Sequence, residues 1–339
     1  MPKSFNDIKV SVIIPVYRAE QHIERCSRSL FEQSMAENIE FIFVDDCSPD
    51  NSVHILNNVL EAYPKRKANT IIVRLPSNQG TANARQRGLE EAHGEYIIHC
   101  DSDDWVDKDI YKTLYDTALS TRSDVVMCDY VLEFGNKKCR KHITKSESPV
   151  EVCCNLLRGR IHNGLWNKLI RREIYDKVTP WFIPNMNLFE DVALVPRLII
   201  NSKSVAFIAK PLYHYSQENT LSITHKWEPK HIDDMVAAVE ILKNGLPTGN
   251  IDIAKAINQL KFNIRINVLK EVPKLDRHKY INLFPDINTL NCLKQLGLLS
   301  KIRAYLIIRG HIGTANSLDI LCSKILMHLK QLTHRNTPR

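Results

Sequence analysis

The chain has 339 residues, 44% hydrophobic and 25% charged with 11 Gly and 15 Pro, enough for one large domain with an appendage or for two domains. This composition excludes low-complexity and disordered classes, and no window approaches the ~18 consecutive apolar residues of a spanning helix. The net charge of +8 is uneven: from Asn282 onward eight Lys or Arg face two Asp, so +6 sits in the tail and only +2 before it.

The polar start "MPKSFNDIKV" runs straight into an apolar stretch, which is not the pattern of a secretory signal peptide. The nine cysteines are odd in number and form no C-x-x-C. Most of them are expected to be small core residues in a reducing cytoplasm rather than a disulfide framework or a zinc site.

In chain order, "VSVII" (10–14) reads as a strand, and Ile23, Cys26 and Leu30 then recur at helical spacing. "EFIFV" (40–44) is a second strand, followed by a helix that Ser48 can cap with Pro49 in its first turn. "TIIVRL" (70–75) is a third. After it a helix runs from about Thr81 to His93, with Gly94 as its left-handed end. "EYIIHC" (95–100) is a fourth strand and "DVVMCDY" (124–130) a fifth. "NGLWNKLIRREIYDK" and "EDVALVPRLII" read as helices, "VAFIA" and "PLYHY" as short strands. From about Trp227 the pattern is helical only, which sets a boundary near residue 225. Alternating strands and helices imply an α/β fold with a doubly wound, mostly parallel sheet flanked by helices, followed by a C-terminal helical appendage.

In such sheets ligands bind beyond the carboxyl ends of the strands. Polar residues gather there: Tyr17 after the first strand, Asp45 and Asp46 after the second, Asp101 and Asp103 after the fourth. Asp101, Asp103 and Asp104 are hard oxygen ligands suited to Mg²⁺ or Mn²⁺. The bland reading has Asp104 or Asp107 capping the next helix, which accounts for one aspartate but not for three. Asp45 and Asp46 suit the N–H or hydroxyl groups of a nucleotide, or else cap a helix. In "NQGTANARQRG", Gly80, Ala84 and Gly88 permit close backbone approach, and Arg85 can turn toward the acidic cluster. Glu190 and Asp191 open an apolar helix, where they serve the helix dipole or supply a general base.

Taken together, "VSVIIPVYRAEQHIERCSRSLFEQS", "EFIFVDDCSPDNS", "NQGTANARQRGL", "GEYIIHCDSDDWV", "WNKLIRREIY" and "FEDVALVPRLI" resemble the inverting family-2 glycosyltransferases of the GT-A fold. The resemblance spans residues 8–224. It implies a metal-dependent transferase moving a hexosyl or N-acetylhexosaminyl group from a nucleotide-diphosphate donor, most often a UDP-sugar, to a hydroxyl of a glycan or lipid-linked acceptor. By that likeness Pro15 and Tyr17 line the base pocket, Asp46 bonds the base and Arg85 supports the nucleotide loop. Asp101, Ser102 and Asp103 match the D-x-D that holds Mn²⁺ or Mg²⁺ against the diphosphate, with Asp104 beside them. Asp191 falls at the catalytic base. The Trp166–Asn167–Lys168 stretch is family-like but has no assigned role. One departure is "YHYSQENTLSIT", with Ser216 where relatives often carry arginine; His214 or a tail residue is then expected to meet the diphosphate, or the metal carries more of it.

Residues 1–225 are therefore expected to form the catalytic domain and 226–339 a basic helical region. The alternatives are a nucleotidyltransferase acting on a sugar phosphate, which would ordinarily need a glycine-rich phosphate loop after the first strand, and a non-catalytic nucleotide-sugar-binding protein. The tail segments "SKIRAYLIIRGHIG" and "LDILCSKILMHLKQL" suit either a packed appendage or docking on the inner face of an anionic membrane. Basic charge without interleaved aromatics speaks against nucleic acid.

Overall fold

A computed structural model of the chain describes residues 8–186, 188–219 and 228–288, with single positions 302, 306 and 314 beyond them. The chain divides into two compact units, Met1–Pro247 and Thr248–Arg339. In the first unit, the elements begin with β1 (Val10–Val16), α1 (Ile23–Phe31), β2 (Ile39–Asp45), α2 (Ser52–Glu61), α3 (Pro64–Lys67), β3 (Thr70–Arg74), α4 (Thr81–Glu91) and β4 (Tyr96–His99). Then come β5 (Trp105–Val106), α5 (Ile110–Thr121), β6 (Val125–Phe134), β7 (Lys137–Lys141), α6 (Pro149–Leu157), β8 (Lys168–Arg171) and α7 (Arg172–Tyr175). The unit closes with α8 (Glu190–Ile200), β9 (Val205–Ser216) and α9 (Lys230–Gly245).

The strands form one sheet in the order β3-β2-β1-β4-β8-β6-β9-β5, with β7 pairing β6 off this path. β3, β2, β1 and β4 are parallel, β8 runs antiparallel between β4 and β6, and β6 pairs β9 in parallel through an irregular stretch at Cys128–Tyr130. β1, β2 and β4 are buried along almost their whole length, so they read in the sequence as continuous apolar runs rather than alternating ones. Val12, Ile14, Phe41, Phe43, Ile98 and Tyr111 lie in the main core cluster between the sheet and its helices.

Four local expectations are corrected. "NGLWNKLIRREIYDK" is not one helix: a 3-10 turn at Leu165–Asn167 leads into strand β8, and only Arg172–Tyr175 is helical. The two short strands expected in 205–215 are the single β9, because pairing with β6 continues past the irregularity. α2 starts at Ser52, not Pro49, and Ser48 instead accepts the Arg18 N–H. Gly94 is not a left-handed cap. α4 ends at Glu91, and Gly94 is needed because a Cβ there would lie 2.6 Å from Ser11 N and 2.9 Å from Tyr96 O.

The first unit runs past the boundary expected near 225 and takes in α9, whose Ala238 packs with Met186 and Ala193. In the second unit α10 (Ile251–Glu271) is capped by Asn250, whose side chain accepts from Asp252 N and Ile253 N. A short helix α11 (Arg277–Tyr280) follows. Phe262, Ile266, Leu269 and Ile287 form a small core there, and buried Arg265 donates to the carbonyls of Leu283 and Phe284. Apart from Ile302 and Leu306, the two basic tail segments singled out above lie outside the described residues. Among the described residues no helix is long and apolar enough to cross a membrane.

Candidate active site

A cleft of about 730 Å³ opens at the carboxyl ends of β1, β2 and β4. Pro15 and Tyr17 reach it from the end of β1, Asp46 from β2, Arg85 from α4, Asp101, Ser102 and Asp103 from β4, and Glu190 and Asp191 from α8. Asp46 and Asp103 thus share one cavity. Asp45 and Asp104, also expected in the site, do not line it.

At one end of the cleft, Tyr17 is 40% exposed and lies under the Arg18 guanidinium, 5.4 Å from the ring centroid. Asp46 staples the loop before α4: Oδ1 accepts Gln79 N–H at 2.7 Å and Oδ2 accepts Gly80 N–H at 2.8 Å. Gly80 holds φ 87°, a backbone that favours glycine. Burial raises the Asp46 pKa even though those two N–H groups favour its charge. Asp45 turns away from the cleft to accept Ser48 N–H at 2.8 Å and to pair with Arg74 at 3.3 Å, which fixes the turn after β2.

The acidic cluster is organised by Arg85. Its side chain, 7% exposed, donates to Asp101 Oδ1 at 2.7 Å and, through its other terminal nitrogen, to Glu190 Oε1. Burial works against the guanidinium charge, but Asp101 and then Glu190 outweigh it and raise its pKa. Burial pushes Glu190 up to about 7, with Arg85 opposing the shift and Asp191 adding to it. Asp191, the next residue, accepts the N–H of Val192 at 2.7 Å. Before this pair Phe189 sits at φ 68°, a left-handed backbone that an aromatic residue adopts only where its surroundings hold it.

Asp103 accepts from Asn219 Nδ2 at 2.9 Å, and its pKa is raised by burial first and by the Asp101 charge second. Two hard carboxylates held close, each spending one named oxygen on a protein donor, form a donor set that fits a divalent cation shared with a ligand's own oxygens. Among the described residues no group of three or more His, Cys, Asp or Glu converges on a cage of its own.

Asp104 is corrected out of this set. It is fully buried, with Oδ2 accepting Tyr213 Oη–H at 2.6 Å and Oδ1 accepting Ser216 N–H at 2.8 Å, so it ties β9 to the acidic loop. His214 likewise sits elsewhere. It stacks on Trp105 at 3.5 Å, and its ring nitrogens meet Glu133 at 3.0 Å and Asp107 at 3.1 Å. It therefore does not stand in for an arginine at the cleft, where the basic lining comes from Arg18, Arg85, His162 and His231.

The opposite wall is the part the sequence reading missed. Gly159, Ile161–Gly164, Trp166, Tyr215, Glu228 and His231 line it. Trp166 stacks on Tyr213 at 4.5 Å and meets Tyr130 edge-on at 4.8 Å. His231 comes from α9 and accepts Glu228 N–H, while Asp234 on the same helix accepts Leu188 N–H at 3.2 Å, just ahead of Glu190 and Asp191. The only signal for this wall in the sequence was the unassigned Trp166–Asn167–Lys168 stretch.

The model of the family described as Glycosyl transferase family 2 matches residues 11–186. Among curated proteins, the chain is 33% identical over 238 residues to a Bacillus subtilis protein named as glycosyltransferase EpsH, covering 68% of this chain and 67% of the relative. It is 29% identical over 238 residues to the cholesterol galactosyltransferase of Borreliella burgdorferi, covering 64% of each. Among solved structures, residues 1–349 of Staphylococcus aureus TarS in complex with UDP-GlcNAc align with a TM-score of 0.73 at 18% identity, over 94% of this chain and 92% of that one. At that identity the likeness shows a shared fold.

Proposed function

The chain belongs to glycosyltransferase family 2, and on that premise, as a nucleotide-sugar glycosyltransferase, we propose that it works by metal-assisted inversion. The donor is a uridine diphosphate sugar and the acceptor a hydroxyl of a glycan or lipid-linked saccharide. What carries the reading is the meeting of Asp46, Asp101, Asp103 and Asp191 in one cleft at the strand ends. A nucleotidyltransferase is not favoured, because β1 is followed by "YRAEQ" rather than a phosphate-cradling glycine loop.

Pro15 and Tyr17 take the base, and Asp46 fixes the Gln79–Gly80 loop beside it. Asp101 and Asp103 would hold Mg²⁺ or Mn²⁺, which when bound neutralises charge gathering on the diphosphate. Arg85 keeps Asp101 oriented and joins it to Glu190 on α8. Asp191 removes the acceptor hydroxyl's proton. The oxygen then bonds the anomeric carbon from the face opposite the diphosphate, and the sugar–phosphate bond breaks to release the nucleoside diphosphate. A positioned base of this kind contributes about 10²–10⁴-fold. The basic tail would dock on an anionic membrane surface, the setting of a lipid-linked acceptor.

The test is a screen of nucleotide sugars for Mn²⁺-dependent hydrolysis and transfer by the full chain. Turnover of a UDP-sugar that fails on chelation supports the reading. Binding of nucleotide sugars without turnover of any would favour the non-catalytic alternative.

A further inference from the structure

Lys168 is a buried ammonium that the reaction above does not use. It lies on β8 and is 1% exposed. A buried cation is costly unless each of its protons finds an acceptor. Its three protons go to His162 O at 2.8 Å, Gly164 O at 2.6 Å and Asn167 Oδ1 at 2.8 Å. None of these acceptors belongs to the sheet. Two are backbone carbonyls of the turn that forms the cleft wall opposite the nucleotide end.

The same turn is held from behind by α6. Asn155 O accepts the N–H groups of Arg160 and Ile161, and Asn163 Nδ2 donates to Leu156 O. Within the turn, Gly164 N–H donates to His162 Nδ1 at 2.9 Å, and a Cβ on Gly164 would collide with the Trp166 indole. His162, Asn163 and Gly164 line the same cleft as Asp191, the proposed general base. A lysine kept only to fill the core would be better replaced by methionine, since an apolar side chain of similar length needs no acceptors.

The geometry points to Lys168 as a positioning residue that clamps the His162–Gly164 turn and thereby sets where the acceptor hydroxyl meets Asp191. This rests on the glycosyl-transfer reading for its catalytic consequence, but the clamp itself is a statement about the chain. Burial lowers the Lys168 pKa to about 7, with Asp191 opposing. The three proton-free oxygens around it are acceptors that suit the ammonium form.

Two variants of the full chain test it, Lys168→Met and Gly164→Ala; the second crowds the same turn without removing a charge. Hydrogen exchange is the readout that needs no activity. Amides of residues 160–165 should lose protection in both variants, while Leu169–Arg171 keep theirs. Kinetics supply the second readout, using the nucleotide sugar that the wild type turns over, Mn²⁺ and a panel of alkyl glycosides. Transfer to glycoside should fall about 10²-fold more than donor hydrolysis by water, the scale expected for an ångström of misplacement. Unchanged protection of the turn, or loss spread evenly over β8 in both variants, would overturn the clamp. Equal losses of hydrolysis and transfer would overturn its acceptor role. A wild type that turns over no nucleotide sugar would sink the proposed reaction and leave the exchange result to decide the clamp.

Discussion

Arg85→Met removes the cation that bridges Asp101 and Glu190 while keeping most of the side-chain volume. The Arg85 and Glu190 side chains are 7% and 12% exposed, so their mutual charge is poorly screened, whereas Asp101 at 25% is partly screened by solvent. Breaking a buried ion pair on one side costs about 3–5 kcal/mol, because the partner charge is left uncompensated. The cost should depend on pH with a definite sign. Glu190 has a folded pKa of about 7, raised by burial above its ordinary 4.5, so wild-type stability falls as pH rises from 4.5 through 7. At pH 8 Glu190 is ionised and needs Arg85, and the variant should lose the full amount. At pH 5 Glu190 is protonated in the fold, so its ion pair is no longer at stake, and what is lost is the partly screened pairing with Asp101 together with the hydrogen bond to Glu190, a smaller amount. Thermal unfolding followed by near-ultraviolet circular dichroism should show a drop of about 6–20 °C at pH 8 and a smaller one at pH 5. Equal drops at the two pH values, or none, would refute the bridge as drawn.

Three further outcomes follow from the same geometry. Asp191→Asn should cut transfer by about 10²–10⁴-fold in steady-state assays while leaving the affinity for nucleotide diphosphate within about twofold. Asp104→Ala orphans the Ser216 N–H and the Tyr213 hydroxyl proton, while Tyr213 Oη keeps the Asp101 N–H, at about 1–3 kcal/mol for each orphaned donor; denaturant unfolding should register this, and Mn²⁺-dependent nucleotide binding should survive. Gly94→Ala drives a Cβ against Ser11 N and Tyr96 O, so expression and melting temperature should fall without any change in the metal dependence of the protein that folds.

Much of this site was legible before the fold because β1, β2, β3 and β4 are predominantly apolar, β-branched runs, and the residues after each must emerge at one sheet edge. The direction of Arg85 was legible for a similar reason: a helix entered from a glycine loop at that edge keeps its N-terminal residues near it. What failed to show was register and partnership across the chain. Asp104 is chemically indistinguishable from Asp103 in sequence, and only Tyr213 and Ser216, more than a hundred positions away, claim it for the fold. His214 is taken in the same way by Glu133 and Asp107. β8 was hidden because Leu165 and Leu169 sit four apart, a helical spacing, while the pairing that makes Lys168–Arg171 a strand comes from β4 and β6 on either side. α9 read as the start of an appendage since its helical pattern is unbroken, yet His231 and Asp234 return to the cleft and its approach loop.

The central claim is that Asp101 and Asp103 clasp a cation together with a donor's diphosphate, and calorimetric titration of UDP into the full chain tests it directly. With Mn²⁺ present, UDP should bind at least about tenfold more tightly, equivalent to about 1.4 kcal/mol, and this gain should vanish in Asp103→Asn while binding without metal is retained. Equal affinity with and without Mn²⁺ in the wild type, or a metal-dependent gain that persists in Asp103→Asn, would contradict it.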